Sequence, residues 1–457
     1  MEIFERLSPM PVPAEELFEW HTRPGAFERL VPPWQRVKVV ERRGGIADGS
    51  RLVLQVQAGP LRGKWTAEHH DVVPGRQFAD RQVTGPFGAW DHLHRFIPDG
   101  DEASIIEDHV EYELPGGRAG QLLGSRPARP QLERMFRFRH ERTRNDLERH
   151  KETRETPRLK VAITGASGLI GRNLAAFLSS GGHEIVGLVR RRPVGEGEVF
   201  WDPAAGEIDA AGLEGLDAVV HTAGESIAGV WTASKKDAIL RSRVDGTTLL
   251  ARTLAGLEKK PRVLVSAAGV GWYGGRGDEE LTEESAPGEG FLADVAVQWD
   301  ASLDQAREAG IRVVTTRQGI VMTAAGGVLP LMLPVFRLGL GGRIGSGEQW
   351  FPWIGLDDLL GIMLTALTDE SLSGPVNAVA PGSVTNAVFT KVLGRVLGRP
   401  TVMAAPQAAV QKAGGQMARE LLLDSMRVVP KRLEERSFRF LFPDLESALR
   451  FELGRES

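Results

Sequence analysis

The chain has 457 residues, of which 42% are hydrophobic and 25% charged, the composition of an ordinary globular protein. A formal net charge of −4 gives no signal for a nucleic-acid partner, and no run of 18 apolar residues predicts a membrane span. Because the chain has no cysteine, disulfides, a thiol nucleophile and a cysteine zinc site are excluded.

The first twenty residues lack the basic start and the long apolar core of a signal peptide. We therefore expect a cytoplasmic protein. The length suggests roughly three domains, and nothing in the sequence indicates an oligomeric state.

The first 150 residues predict an antiparallel sheet that a long helix closes. Short strand-like runs alternate with turn signals such as Pro74-Gly75. The predicted strands are 2–9, 37–42, 50–57, 63–72, 77–83, 89–97 and 103–113, and the predicted helices are 14–27 and 131–150. This α+β order resembles the helix-grip fold of START-like, polyketide-cyclase-like (SRPBCC) proteins. The resemblance implies a cavity for an apolar ligand, which side chains could equally fill.

Five histidines fall in these predicted strands: His69, His70, His92, His94 and His109. His92 and His94 are two residues apart, so they share one face of a strand, as two metal ligands would. The sequence identifies no third ligand. We therefore expect no metal site and interpret these residues as solvent-facing or hydrogen-bonded histidines.

Residues 151–158 are charged, end in proline and have no apolar face, which is typical of a linker. We predict a first domain over 1–150, a dinucleotide-binding domain over 159–384, and a C-terminal extension over 385–457.

The segment 159–192 predicts a strand, a glycine-rich turn, a helix and a second strand. In a βαβ unit, Gly165 permits the tight turn, Gly168 lets backbone approach a pyrophosphate, and Gly171 lets the helix pack on the strand. The helix N-terminus adds free N–H groups. The pattern predicts a nucleotide site in an α/β, doubly wound parallel sheet. Its candidate cofactor-binding residues are Gly165, Ser167, Gly168, Leu169, Ile170 and Gly171.

The second predicted strand ends in arginines. An NAD-preferring site usually places an acid about 20 residues after the glycine turn, to bind the ribose 2′-hydroxyl. Arg190 and Arg191 stand there instead, and a guanidinium grips a 2′-phosphate in a forked contact. We predict NADP (NADPH) in preference to NAD; the alternative is a solvated strand end.

Later motifs resemble the extended or atypical short-chain dehydrogenase/reductase superfamily, in particular its nucleoside-diphosphate-sugar epimerase-like subfamily with a C-terminal extension. They are DAVVHTAG at 217–224, SAAGVGWYG at 266–274, PWI at 352–354 and GPVNAVAP at 374–381. The resemblance runs from residue 159 to the C-terminus. It implies a Rossmann-type domain with a small C-terminal substrate lobe, and further cofactor contacts from Thr222, Ala223, Gly224 and Arg317.

The chain departs from that superfamily at its catalytic pair, Tyr-x-x-x-Lys. The two tyrosines, Tyr112 and Tyr273, are each followed four residues later by glycine. Candidate catalytic residues are Tyr273, Ser266 and Asp294. Without a lysine, Tyr273 is expected to keep a pKa near 10 and to be a poor base; an equal alternative is an aromatic lid. We interpret His221 as a hydrogen-bonded residue near the core.

These observations favour an NADP-dependent oxidoreductase or epimerase-like enzyme that acts on a small molecule by nicotinamide hydride transfer. The missing pair favours an alternative, a non-catalytic NADP(H)-binding sensor or interaction protein. A third hypothesis is a START-like lipid carrier whose second domain binds no dinucleotide.

Overall fold

The computed structural model describes residues 1–58, 61–195 and 197–456. The chain divides into two compact units. The first comprises Met1–Thr156, Ala176–Gly182 and Phe451–Glu456, and the second comprises Pro157–Ala175 and His183–Arg450. Within the described ranges, no helix has the length and apolar character needed to cross a membrane.

The first unit contains a seven-stranded antiparallel sheet with the order β1-β7-β6-β5-β4-β3-β2. Its strands are β1 (Glu2–Met10), β2 (Arg36–Arg43), β3 (Arg51–Ala58), β4 (Leu61–Val73), β5 (Gln77–Thr84), β6 (Ala89–Pro98) and β7 (Ser104–Glu113). Its helices are α1 (Ala14–Thr22), α2 (Ala26–Leu30) and α3 (Gly117–Glu152). The predicted helix-grip architecture is confirmed.

Three helix boundaries in this unit were predicted wrongly. The helix expected over 14–27 is two helices, because Pro24 and Gly25 interrupt it and Gly25 adopts a φ of 88°, which is left-handed. The long helix begins at Gly117 instead of residue 131, with two prolines inside it. It also ends at Glu152, two residues into the segment predicted as a linker.

Alternating residues of the sheet bury aromatic side chains on one face. Phe78 and Phe96 pack with Phe18 of α1, and Trp90 packs with Phe136 of α3 in a second cluster. Side chains thus fill much of the space between the sheet and its helices.

The second unit contains an eight-stranded sheet with the order β11-β10-β9-β8-β12-β13-β15-β19, parallel except for β11. Its strands are β8 (Lys160–Thr164), β9 (Glu184–Val189), β10 (Glu198–Asp202), β11 (Glu207–Ile208), β12 (Ala218–His221), β13 (Val263–Gly269), β15 (Arg312–Gln318) and β19 (Gly374–Ala378). The central strands are continuous buried apolar runs, as helices on both faces require. The predicted doubly wound sheet is confirmed.

Three short strand pairs lie beside this sheet. They are β14 (Glu280–Leu281) with β21 (Arg427–Val428), β16 (Ile320–Met322) with β18 (Trp353–Gly355), and β17 (Trp350–Phe351) with β20 (Val384–Thr385). The helices are α4 (Leu169–Ser180), α5 (Ala233–Gly256), α6 (Phe291–Ala301), α7 (Asp304–Glu308), α8 (Leu329–Arg337), α9 (Leu356–Thr368), α10 (Asn386–Leu397), α11 (Gln407–Ala418), α12 (Lys431–Glu435) and α13 (Leu445–Glu452).

The strand order reverses between β8 and β12, since the chain proceeds outward from β8 to β9 and β10 and then returns to the other side. In open parallel sheets, ligands bind outside the carboxyl ends of the strands at such a switch point. The glycine-rich turn follows β8 at this position.

Candidate functional site

The glycine-rich turn after β8 is packed so closely that it excludes side chains. Gly165 has a φ of 67°, and a Cβ there would lie 2.9 Å from the amide nitrogen of Ala223. A Cβ on Gly171 would lie 2.3 Å from the carbonyl oxygen of Gly165, and the amide of Gly168 donates to that same oxygen at 2.8 Å. The turn leads into α4, whose first amides point out of the helix. With no side chain at Gly165, Gly168 and Gly171, this turn fits a dinucleotide pyrophosphate.

The loop after β12 is bonded directly to this turn. The hydroxyl oxygen of Thr164 accepts from the amides of Thr222, at 3.1 Å, and Ala223, at 3.2 Å. The hydroxyl of Thr222 in turn donates to the carbonyl of Thr164 at 2.7 Å. The structure therefore places Thr222 and Ala223, two of the predicted cofactor-binding residues, beside the glycine turn.

His221 is fully buried behind this loop, and its interpretation as a hydrogen-bonded core residue is confirmed. Its Nδ1 lies 2.7 Å from the Thr164 hydroxyl and its Nε2 lies 3.0 Å from the Thr247 hydroxyl. Burial lowers the pKa of His221 to about 4, so the ring is neutral at physiological pH. The side chain aligns β12 with α5.

The two arginines after β9 have different surroundings. Arg191 forms a bidentate ion pair with Glu198, with Nη1 2.8 Å from Oε2, and that carboxylate also accepts from the amide of Val194. Arg190 makes no hydrogen bond or salt bridge with any residue that the structure describes. The guanidinium of Arg190 is thus the one of this pair that is available to a ligand.

Arg243 lies near the predicted cofactor loop, although the sequence did not indicate it as a site residue. A Cβ on Gly224 would lie 3.4 Å from its Cζ, and its Nη1 donates to the carbonyls of Glu225 and Ile239 at 3.0 and 3.1 Å. Burial lowers the pKa of Arg243 to about 10. Because Gly224 and Arg243 meet only through the packing of α5, no local pattern indicates this contact.

Tyr273 does not present a free hydroxyl. The side chain is fully buried; its hydroxyl donates to Oδ1 of Asn377 at 2.6 Å and accepts from Nη1 of Arg317 at 2.9 Å. Burial raises the pKa of Tyr273 above its ordinary value of 10, and the adjacent Arg317 only partly opposes this shift. The geometry therefore favours a packing role for the Tyr273 side chain over acid–base catalysis.

Arg317 belongs to the same buried cluster. Its guanidinium lies 4.1 Å from the ring centroid of Trp272, and its Nη1 also donates to the carbonyl of Glu283 at 3.2 Å. The expectation that Arg317 contacts a cofactor is therefore not supported by its hydrogen bonds, which are directed into the protein.

Ser266 and Asp294 lie in different places. Ser266 is buried in β13, opposite His221, and lines a small pocket together with Trp299 and Arg317. Asp294 is exposed on α6 and does not line that pocket. No hydrogen bond in the described part of the chain joins these two residues to each other or to Tyr273.

The C-terminal part of the second unit caps α6. The carboxylate of Glu420 accepts from the amides of Phe291, at 3.1 Å, and Leu292, at 2.9 Å, and Gln416 donates to it at 2.7 Å. A negative charge at a helix N-terminus satisfies free amides and interacts favourably with the helix dipole.

Replacing Glu420 with glutamine is expected to lower the free energy of unfolding by about 1 kcal/mol, because one acceptor oxygen and the charge are lost. Urea denaturation of the variant measures this. Glu435→Gln, at an exposed position in α12, is the matched control and should leave the midpoint unchanged. Equal midpoints for both variants would contradict the capping role.

Comparisons with known proteins agree with both units. Residues 161–379 match the NAD dependent epimerase/dehydratase family, residues 10–136 match the family Polyketide cyclase / dehydrase and lipid transport, and residues 405–452 match a domain of unknown function, DUF1731. An epimerase family protein from Mycobacterium bovis is 40% identical over 296 residues, which cover 65% of this chain and 98% of that protein.

Two solved structures extend the similarity. A nucleoside-diphosphate sugar epimerase from Corynebacterium glutamicum is 36% identical, with a TM-score of 0.82 over 99% of this chain and 90% of that chain. The human epimerase family protein SDR39U1, solved with NADPH, is 36% identical, with a TM-score of 0.59 over 64% of this chain and 98% of that chain.

Proposed function

The chain belongs to the epimerase family, and from that premise we propose that it binds NADP(H) at the glycine-rich turn and acts as an oxidoreductase or epimerase on a small molecule. The NADP preference rests on a contrast between two neighbouring arginines. The guanidinium of Arg191 is hydrogen-bonded to Glu198, whereas that of Arg190 has no hydrogen-bond or salt-bridge partner among the described residues. The human relative solved with NADPH supports the same cofactor.

The residues that would hold the cofactor are those of the switch point. The amides around Gly165 and at the start of α4 would bind the pyrophosphate, and Arg190 would bind the 2′-phosphate. The loop that contains Thr222 and Ala223 would line the cofactor site between β8 and β12. When bound, the nicotinamide supplies a site that accepts or donates a hydride.

The substrate would lie beside the pocket that Ser266 lines. In that position the hydroxyl of Ser266 would orient a carbonyl or hydroxyl group of the substrate, whereas Tyr273 would hold Arg317 and Asn377 in place. Asp294 would act as a proton acceptor only for a substrate that reaches the exposed side of α6. The sugar-nucleotide epimerase from Corynebacterium makes nucleoside-diphosphate sugars the first substrate class to test.

A specific observation favours a second function, a non-catalytic NADP(H)-binding sensor. The chain lacks Tyr-x-x-x-Lys, and the hydroxyl of Tyr273 is engaged on both sides. In this function the first unit, which matches a family that includes lipid transport proteins, would bind an apolar ligand, and NADPH would change affinity for a partner.

The test is a titration of nucleotide-stripped protein with NADPH and with NADH, in which nicotinamide fluorescence reports binding. Arg190→Ala is expected to weaken NADPH binding about tenfold and leave NADH binding unchanged, because one charge-assisted contact is lost. Arg191→Ala is the matched control and should retain the preference, since Glu198 holds that side chain.

The outcomes separate the hypotheses. Conversion of nucleoside-diphosphate sugars, or NADPH oxidation with a carbonyl substrate, supports the enzyme. Tight NADPH binding without any turnover supports the sensor. Absence of binding to either dinucleotide would refute both and favour the carrier hypothesis.

A further inference from the structure

The inner face of the first unit's sheet carries a cluster of histidines and aspartates. Asp80 of β5 is the register partner of His92 on β6, and His94 on β6 is the register partner of Asp108 on β7. Alternation along the strands directs all four side chains to the same face, where α3 adds His140. The cluster lies wholly within one compact unit.

We propose that Asp80, His92 and His94 form a binding site for a divalent first-row transition-metal ion. The sequence showed the two histidines but no third ligand; the strand register supplies Asp80.

The distances between the three ligand atoms support this site. Oδ2 of Asp80 lies 3.3 Å from Nδ1 of His92 and 3.5 Å from Nε2 of His94, and the three atoms lie within 4.8 Å of one another. Metal–ligand bonds of about 2.0–2.2 Å place neighbouring tetrahedral ligands roughly 3.3–3.6 Å apart. Both distances from the carboxylate oxygen of Asp80 to the imidazole nitrogens therefore fall within the range expected around a metal ion.

The opposite nitrogens of both rings face a second carboxylate. Oδ1 of Asp108 lies 3.1 Å from Nε2 of His92 and 2.6 Å from Nδ1 of His94. Histidines that bind metal almost always donate their other ring N–H to a carboxylate or a carbonyl, which fixes the tautomer and the ring orientation. Asp108 provides that hydrogen-bond partner for His92 and lies within ion-pair distance of His94.

Asp108 is itself held from α3. Its Oδ2 accepts from Nε2 of His140 at 2.7 Å, and Nδ1 of His140 lies 2.8 Å from the hydroxyl of Ser8. Hydrogen-bonded chains behind the ligands orient them in metal sites, and this one connects β1, β7 and α3.

The surroundings favour a positive charge beside the aspartates. The ring of His94 lies 4.3 Å from that of Phe78, and the ring of His92 lies 5.2 Å from that of Phe136, so the two imidazoles pack against apolar rings. The side chain of Asp108 is buried, and that of Asp80 is 18% exposed. Buried charges are paired or coordinate metals. Arg139 interacts electrostatically with both aspartates, and a divalent ion bound by Asp80 would add positive charge beside them.

The donor set indicates the type of ion. Two imidazoles and one carboxylate suit zinc, iron, cobalt, nickel or copper, whereas magnesium and calcium prefer all-oxygen ligands. Three protein ligands leave coordination positions for water or a ligand, as in catalytic zinc sites and in two-histidine, one-carboxylate iron sites.

The first test uses the full chain, stripped with chelator, loaded with Co²⁺ or Zn²⁺ and desalted. Elemental analysis is expected to find one ion per chain, and visible absorption is expected to show Co²⁺ bound by nitrogen and oxygen ligands. Asp80→Asn should lose the ion, and His109→Ala, with a partly exposed histidine on β7 outside the ligand set, should keep it. No retained metal, or equal retention in Asp80→Asn, would overturn the site.

A second measurement keeps the proposal testable if Asp80→Asn fails to fold. With one equivalent of Cu²⁺, the electron paramagnetic resonance spectrum of the wild-type chain is expected to show hyperfine coupling to two imidazole nitrogens. Coupling to one nitrogen, or a spectrum of free Cu²⁺, would overturn the proposed set of two histidine ligands.

Discussion

Replacing Gly171 with alanine is expected to lower the affinity for NADPH roughly 10- to 100-fold. The added Cβ would lie 2.3 Å from the carbonyl oxygen of Gly165 and 3.0 Å from Cα of Ala166, which are both backbone atoms. Neither can rotate away, so the turn must shift, at a cost of about 1–3 kcal/mol by the usual penalty for overpacking. The titration with NADPH measures the change directly.

Gly256→Ala is the matched control for Gly171→Ala. A Cβ at Gly256, at the end of α5, meets no atom within 4 Å, so this variant should bind NADPH as the wild type does. Circular dichroism separates lost binding from lost folding. Wild-type affinity in a folded Gly171→Ala variant would show that the turn does not form the pyrophosphate site.

The glycine turn could be predicted because its determinants lie within a few residues of one another. Gly165, Gly168 and Gly171 fall within seven consecutive residues, and the apolar run before them specifies a buried strand. The same holds for the element order of both units. The break in the helix predicted over 14–27 also has a local cause, Pro24-Gly25. The prediction missed it because the residues on both sides have a helical pattern.

The chemistry of individual side chains could not be predicted in the same way, because it depends on partners from distant parts of the chain. Arg190 and Arg191 look equivalent until β10 brings Glu198 to one of them. The hydroxyl of Tyr273 meets Asn377, which is 104 residues away, and Arg317, which is 44 residues away. Asp80 joins His92 and His94 only through strand register. These contacts decide which polar groups are available for function.

Replacing Tyr273 with phenylalanine is expected to destabilise the protein by about 2–3 kcal/mol and to leave NADPH affinity unchanged. Removing the hydroxyl leaves Oδ1 of Asn377 and one N–H of Arg317 without this partner in a buried cluster. Each buried group left unsatisfied costs about 1–3 kcal/mol, and part of this cost is regained by relaxation. The free energy of unfolding from urea denaturation and the NADPH titration test the two halves of the prediction.

Tyr112→Phe is the natural control, because Tyr112 is the only other tyrosine of the chain. Among the described residues, its hydroxyl has one hydrogen-bond partner, the carboxylate of Glu2 at 2.8 Å, so its loss should cost less than the loss at Tyr273. If Tyr273 were the catalytic acid or base, Tyr273→Phe would lower turnover 10²- to 10⁴-fold with little change in stability. A stability loss without that drop in turnover would assign Tyr273 to holding Arg317 and Asn377 in place. Ser266, the catalytic candidate that lines the pocket, would then be tested next.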